Sequence, residues 1–203
     1  MTVTKGRADR YAVLLRGINL GRRQLAMADF KALLEDLGYR EVKTHLRSGQ
    51  AVLTDPAGGS AKTAATRAAA TRIADRVESA IAKEHGLDVP VVVRTRAELA
   101  KVIAANPFVR PGQPERDPAK VFCVFLSAQL TAADLTTVDP AAYEPEEFAL
   151  GPGGREIFLS LPGGMGVSTL GAVKWDRVTG NRQLVATARN WRTTLKLLEL
   201  LDG

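Results

Sequence analysis

The chain contains very few of the residues from which reactive or metal-binding centres are built. Among its 203 residues there are one cysteine and two histidines. The single cysteine, Cys123, excludes an internal disulfide and lies in an apolar run typical of a buried strand. His45 and His85 are far apart, with no cysteine or carboxylate partners at the spacing of a zinc site. The sequence therefore predicts no resident metal and no other cofactor.

Long apolar runs are also missing. No stretch of about 18 consecutive apolar residues occurs, which argues against a membrane-spanning helix. Residues 1–10 contain basic side chains but lack the apolar centre of a signal peptide. We therefore expect a cytoplasmic protein with no membrane partner. Its 45% of apolar and 25% of charged residues are ordinary for a folded protein.

The positive charge is unevenly distributed along the chain. Up to Arg94 there are 16 Lys and Arg against 10 Asp and Glu, and from Thr95 onward there are 12 against 12. The net charge of +6 therefore belongs to the first half. Two interpretations remain open: a solvated basic face on a helix of residues 62–83, or a surface for an anionic partner.

Apolar periodicity in the first half predicts the order β-α-β-β-α-β. The predicted elements are a strand at 11–15, a helix at 28–37, a hairpin of strands 42–46 and 51–54 around Ser48-Gly49, an alanine-rich helix ending at Gly86, and a strand at 89–93. A further helix is predicted at 97–104.

A similar pattern recurs in the second half. It predicts a strand at 120–126, a short helix at 131–138, a hairpin of strands 148–150 and 157–161, a helix at 168–178, a strand at 183–187, and a last helix with Trp191, Leu195 and Leu198 on one face. The economical interpretation is an α+β protein of two tandem ferredoxin-like (βαββαβ) subdomains. They would comprise residues 1–96 and 119–203, with a helix and linker at 97–118 and a C-terminal helix.

Polar loops of the first half are predicted to converge. In a ferredoxin-like sheet the first strand and the first hairpin strand run the same way, so a loop at 16–24 would lie beside the turn at 47–50. This edge would collect the predicted ligand-binding residues Arg16, Gly17, Asn19, Arg47, Ser48, Gly49 and Gln50. Arginine binds carboxylate or phosphate with two parallel bonds, and glycine admits close backbone approach. The alternative is that these glycines serve tight turns only, with Asn19 in a left-handed conformation.

A second group of candidates precedes the last helix. Trp191 with Arg189 and Arg192 could stack on a base and bind its phosphate, or Trp191 could anchor the helix in the core. The glycines at 163–166 precede Ser168 in the manner of a phosphate loop, but the lysine and spacing of such a loop are absent. A loop followed by a helix cap at Ser168 is therefore favoured there.

At these residues the chain resembles a bacterial family, domain of unknown function 1697 (DUF1697). The similar segments are 11–21, 27–38, 44–52, 87–94, 106–108 and 187–198. The resemblance implies two ferredoxin-like subdomains and no established activity. Its matching polar positions are Arg16, Asn19, Ser48, Gly49, Arg189, Asn190 and Trp191. The chain departs from the family at Arg22, where a glycine is common, and at Gln50, where asparagine is usual.

Three functions remain open from the sequence. The first is binding of an anionic ligand, which could be a nucleotide, a nucleic acid, or a phosphorylated or carboxylated metabolite. The second is an enzyme acting on a small anionic substrate between the halves, for which no base or nucleophile is identifiable. The third is assembly through exposed sheet edges. The pairs of stacking aromatics typical of RNA-binding sheets are not evident, and the sequence does not predict an oligomeric state.

Overall fold

The structure is a computed structural model that describes residues 9–21, 23–57, 63–110, 112, 115–180 and 184–203. Within these residues the fold is mixed α/β, with two four-stranded antiparallel sheets and four helices. The chain forms two compact units. The first contains the residues up to Glu98 together with Leu197–Gly203, and the second contains Leu99–Lys196.

The first unit follows the predicted order of elements. Sheet neighbours run antiparallel in the order β2-β3-β1-β4, so β1 and β2 run the same way and their C-terminal ends share one edge. The predicted strands are confirmed, with their ends displaced by no more than two residues. The elements are β1 (Asp9–Leu15), α1 (Met27–Asp36), β2 (Arg40–Thr44), β3 (Gln50–Asp55), α2 (Thr63–His85) and β4 (Val91–Thr95).

The core of this unit lies between one sheet face and the two helices α1 and α2. In α1 the buried residues Phe30, Leu33 and Leu34 repeat at helical spacing, and the chain leaves the helix through Gly38 at φ +86°. The alternate residues of β1 face the same core. The fold here therefore follows from the period of 3.6 in the helices and from short apolar runs in the strands, where β1, β3 and β4 are buried at consecutive positions. Buried members include Tyr11, Val13, Leu15, Ile73, Val77 and Ile81.

The end of the chain returns to this unit. The Arg10 guanidinium on β1 donates to the carbonyl oxygens of Leu201 at 2.7 Å and Leu200 at 3.4 Å, and Arg96 pairs with Asp202. Carbonyl groups at a helix C-terminus have no partner within the helix, so a cation there is favourable. Arg10 therefore fastens the last turn of the chain to its first strand.

The second unit repeats the sheet order, as β6-β7-β5-β8. Its sheet face is covered by irregular segments that bury Leu130, Val138, Leu170 and Trp175. The helix predicted at 131–138 is a single 3₁₀ turn, Ala132–Leu135, and another such turn follows at Pro140–Tyr143. The regular elements are α3 (Arg96–Ala105), which begins in the first unit, β5 (Val121–Leu126), β6 (Glu147–Leu150), β7 (Glu156–Ser160), β8 (Ala186–Asn190) and α4 (Trp191–Asp202).

The helix predicted at 168–178 is wrong, because this segment forms successive turns. Ser168 Oγ accepts from Gly171 N at 2.7 Å as a helix cap would, but the following backbone bonds join residues two or three apart. A Cβ at Gly171 would lie 2.7 Å from Met165 Sδ, so only glycine allows this close packing. The two deeply buried residues, Leu170 and Trp175, are five apart, a spacing that does not share one helix face.

The last strand is displaced from its predicted position, and the buried face of the last helix differs from the predicted one. The strand predicted at 183–187 is β8, Ala186–Asn190, and residue 183 lies outside the described residues. The buried face of α4 contains Trp191, Thr194, Leu197 and Leu201, whereas Leu195 is 42% exposed. Because α4 carries leucines on several of its faces, the apolar period alone did not identify which face is buried.

Candidate functional site

The predicted convergence of two segments at the end of β1 is confirmed. We call residues 16–25 and 45–49 together the loop edge. Leu15 N donates to Gly49 O at 2.8 Å, and Arg16 N donates to Pro90 O at 2.9 Å. These bonds continue the strand pairing of β1 on both sides past its last residue. The loop after β1 therefore starts between the β2–β3 turn and the segment that leads into β4.

Asn19 fastens the two segments of the loop edge to each other. Its side-chain amide donates to Arg47 O at 2.6 Å and to Leu25 O at 3.0 Å, and its Oδ1 accepts from Leu25 N at 2.9 Å. The residue has φ +58°, a conformation that asparagine tolerates better than most residues. The structure thus gives Asn19 a positioning function within the loop edge.

Two of the predicted glycines are required by the backbone, for different reasons. Gly49 has φ +71°, and a Cβ there would lie 2.3 Å from Ile18 Cγ2 and 2.9 Å from Leu15 Cβ. Gly17 has φ +66°, and its nearest neighbour would be Arg23 Nη1 at 4.0 Å. Gly49 therefore permits the close approach of the turn to the loop, while Gly17 permits only its local turn.

The loop edge carries positive charge without compensation from its own segments. Residues 16–28 and 42–54 contain no aspartate or glutamate. Arg23, Arg47 and Ser48 are exposed, and Arg16 is half-buried. Arg23 and Arg47 form no ion pair with any residue that the structure describes. Arg22 lies outside the described residues.

Gln50 lies beneath the loop edge. It is 0% exposed, begins β3 opposite Leu14, and accepts a bond from His45 N at its carbonyl oxygen, at 3.1 Å. An external ligand does not reach this side chain without movement of the turn. The extra methylene of glutamine relative to asparagine is accommodated inside the unit.

The second group of predicted residues lies in the second unit and is mainly buried. Arg189 on β8 is opposite Cys123, and its Nη1 donates to Thr187 Oγ1 and Ala188 O, both at 2.8 Å. Burial lowers the pKa of Arg189 to about 10, because a low-dielectric surrounding disfavours the charged form. The guanidinium thus contributes to the interior of this unit.

Asn190 and Trp191 make contacts that organise the start of α4. Asn190 Oδ1 accepts from Thr193 N at 2.9 Å, as a helix cap does. Trp191 is buried, packs edge-on to Phe158 with ring centroids 6.4 Å apart, and donates its backbone N–H to Pro118 O. These contacts favour the core-anchor interpretation of Trp191, and its predicted role in ligand binding stays a prediction.

Sequence reasoning missed two exposed leucines on the loop edge. Leu20 is 70% exposed and Leu46 is 56% exposed. Each is adjacent in sequence to one of the two bonded residues Asn19 and Arg47, so both leucines belong to the part of the loop edge where its two segments meet. Leu46 has φ +54°, which is unfavourable for a bulky side chain. Their only sequence signal is an apolar residue isolated within a turn-rich segment.

The chemistry available at the loop edge is that of anion recognition. Guanidinium groups, a serine hydroxyl and glycine backbone are present, while neither segment of the loop edge contributes a carboxylate that could act as a general base. Among the residues that the structure describes, no three His, Cys, Asp or Glu side chains are grouped to hold a metal ion. None of the helices within the described residues is long and apolar enough to cross a membrane.

Comparisons with known proteins give a family and a fold. The model of the family described as protein of unknown function (DUF1697) matches residues 8–158. A similar solved structure is that of conserved bacterial protein SP0830 from Streptococcus pneumoniae, with a TM-score of 0.69 and 20% identity over 97% of this chain and 100% of that one. No curated protein matches. The likeness in structure concerns the fold alone.

Proposed function

Because the chain belongs to the DUF1697 family, whose function is unknown, we propose from the geometry of the site that the loop edge binds an anionic ligand that carries phosphate or carboxylate. Arg23 and Arg47 are the exposed cations, with Arg16 beside them. A guanidinium offers two parallel donors to such an anion.

One observation carries this proposal. Asn19 joins the two arginine-bearing segments through its bonds to Arg47 O and Leu25 O. The arginines therefore belong to a preorganised edge and not to two independent loops, and preorganisation lowers the entropy lost when a ligand binds. The absence of acidic residues from both segments leaves their charge available for an incoming anion.

The test is fluorescence anisotropy of labelled single-stranded RNA and duplex DNA, with pyrophosphate as a competitor, at low and near-physiological salt. We expect binding that weakens as salt rises, because released counterions drive association with a polyanion. Arg47→Ala and Arg23→Ala should each weaken binding about fivefold, the loss of roughly 1 kcal/mol.

Arg67→Ala is the matched control, since Arg67 is an exposed cation on α2, away from the loop edge. It should leave binding within experimental error of the wild type. Equal losses for Arg67→Ala and Arg47→Ala would indicate binding through net charge alone. Absence of binding to every probe at low salt would refute the proposal.

We also propose that each unit is a ferredoxin-like subdomain in the cytoplasm. The shared strand orders β2-β3-β1-β4 and β6-β7-β5-β8 support the assignment of the fold. In the second unit, 3₁₀ turns and irregular segments stand where the two helices of such a subdomain would cover the sheet. Fluorescence microscopy of the tagged chain tests the location.

A further inference from the structure

Two exposed leucines and two exposed arginines of the loop edge define a surface that we call the tip. Its residues are Leu20, Arg23, Leu46 and Arg47. Leu20 and Leu46 are 70% and 56% exposed. Asn19, which precedes Leu20, donates from Nδ2 to the carbonyl oxygen of Arg47, which follows Leu46, at 2.6 Å. The loop edge therefore carries two exposed leucines together with two arginines that form no ion pair with a described residue.

The conformation of Leu46 is held at a cost. Its φ of +54° lies in the left-handed region, which is unfavourable for a residue with a side chain. No burial of the side chain compensates for this cost, because more than half of Leu46 faces solvent. Strain retained at an exposed position is a feature of functional sites.

Four backbone polar groups of the tip, namely Leu20 O, Arg23 N, Arg23 O and Arg47 O, are bonded within the loop edge. Asn19 N donates to Arg23 O at 2.6 Å, and Arg23 N donates to Leu20 O at 3.3 Å, which closes a narrow turn. The Asn19 side chain bonds both backbone groups of Leu25 as well as Arg47 O. A segment that leaves water for an apolar environment needs its polar backbone groups bonded internally.

We infer that the tip docks on an anionic lipid bilayer, with Leu20 and Leu46 inserted at the headgroup boundary and Arg23 and Arg47 on lipid phosphates. This inference rests on the proposed function and names its ligand as the phosphate headgroup of a membrane lipid. It departs from the expectation of no membrane partner, which was drawn from the lack of a spanning helix and of a signal peptide. A small apolar tip with neighbouring cations needs both contributions for measurable binding.

Other occupants of the tip fit these observations less well. A second copy of the chain would bring like charges together, because the tip segments contain no acidic residue. A nucleic acid would use the arginines, but the loop edge offers no Phe, Tyr or Trp for stacking on bases, and His45 is its one aromatic side chain. Only an interface that is both anionic and apolar uses the leucines and the arginines together.

The experiment measures co-sedimentation of the full chain with vesicles of phosphatidylcholine, with and without phosphatidylglycerol. We expect binding only to the vesicles with phosphatidylglycerol. The double variant Leu20→Ser/Leu46→Asn should bind them on the order of tenfold more weakly. Asparagine tolerates the positive φ of Leu46, so the double variant keeps the backbone, and its thermal unfolding verifies this.

Val167→Ser is the matched control, since Val167 is a 78% exposed apolar residue that belongs to the second unit. It should bind the vesicles as the wild type does. Equal vesicle binding by the leucine double variant and the wild type would overturn the inference, because charge alone would then suffice.

Anisotropy with labelled RNA separates this inference from the proposed function. If the leucine variant keeps RNA binding but loses vesicle binding, the inference is supported. If the wild type binds RNA but no vesicles, the inference fails and the proposed function stands. If the leucine variant loses RNA binding equally, a nucleic acid is the occupant. If the wild type binds neither probe, both proposals fail.

Discussion

The ends of the two central strands, β1 and β5, begin with the same backbone pattern. Leu15 N bonds Gly49 O at 2.8 Å, and Leu126 N bonds Arg155 O at 2.9 Å. The next residue then bonds the opposite side, from Arg16 N to Pro90 O and from Ser127 N to Val185 O. The two units therefore build their loops on equivalent scaffolds.

Beyond these bonds the two edges differ in burial and in charge. We call residues 127–131 and 151–155 the second edge. There Leu130 is buried and its N–H bonds Gly154 O at 2.7 Å, while Ser127 Oγ accepts from Val185 N at 2.9 Å. Apart from Arg155 this edge contains no charged residue, whereas the loop edge contains four arginines. One scaffold thus supports an edge with a single arginine and a buried leucine and an edge with four arginines and exposed leucines, and the loop sequence decides between them.

The largest effects are expected from glycines on the two edges. A Cβ at Gly154 would lie 2.2 Å from the backbone oxygen of Leu130, and one at Gly49 would lie 2.3 Å from Ile18 Cγ2. Both glycines have positive φ. We expect Gly154→Ala and Gly49→Ala to lower the free energy of unfolding by about 3 kcal/mol or more, measured by urea denaturation.

Gly21→Ala is the control for backbone strain alone. Gly21 has φ +59°, but no atom lies within 4 Å of its added Cβ. The expected loss is about 1 kcal/mol. A loss for Gly49→Ala no greater than that for Gly21→Ala would show that the turn and loop separate easily, contrary to the tight contact described.

A smaller loss should result from removal of the side-chain bonds on each edge. Asn19→Ala removes three hydrogen bonds and should lower the free energy of unfolding by about 2 kcal/mol. Ser127→Ala removes the acceptor for Val185 N and should cost about 1 kcal/mol. Asn19→Gly keeps the positive φ and separates lost bonds from strain. Equal stability of Asn19→Ala and the wild type would contradict the fastening role of Asn19.

Removal of one arginine should cost about 1 kcal/mol of binding free energy on the loop edge and none on the second edge. Arg47→Ala should weaken RNA binding about fivefold, while Arg155→Ala on the second edge should leave the anisotropy curve unchanged. The reason is that Arg155 lacks neighbouring arginines within its edge. If both variants weaken binding equally, the two edges function alike and the contrast between them is wrong.

The smallest effect concerns acid. Asp134 Oδ2 accepts from Thr131 N at 2.7 Å and from Thr131 Oγ1 at 2.8 Å, and these bonds lower the pKa of Asp134. A lowered carboxyl pKa stabilises the folded state above the pKa of the unfolded chain. This stabilisation is lost as pH falls through the folded pKa. Neither segment of the loop edge contributes a carboxyl group to this dependence of stability on pH.

Carboxyl NMR titration checks this prediction. Asp134 should titrate below an ordinary aspartate, and Thr131→Val should bring its pKa part of the way back, because the backbone bond remains. A wild-type midpoint at or above the ordinary value would show that these bonds do not form in solution.

The two units also differ in how far the sequence predicts them. In the first unit Phe30, Leu33 and Leu34 define a helix by period, and Gly38 ends it. In the second unit Leu170 and Trp175 are buried from irregular turns, which leave no period to detect. The convergence of Asn19 and Gly49 could be predicted from strand direction alone.

Other features of the candidate site could not be predicted. The exposure of Leu20 and Leu46 depends on three-dimensional packing at the tip, since leucine is more often buried. Arg189 is buried because it lies in β8. The sequence pattern predicts this strand three residues earlier, which would place Arg189 at the start of the last helix. Local patterns do not determine such displacements.

The bonds from Arg10 to Leu200 and Leu201 constrain the order of events during synthesis. Strand β1 emerges from the ribosome early, whereas its helical partner is made after the whole second unit. The first unit therefore cannot form all of its contacts until residues 197–203 have been synthesised. For this reason the two units cannot fold to completion one after the other in the order of synthesis. During translation, Arg10 and the sheet around it remain without their final cover.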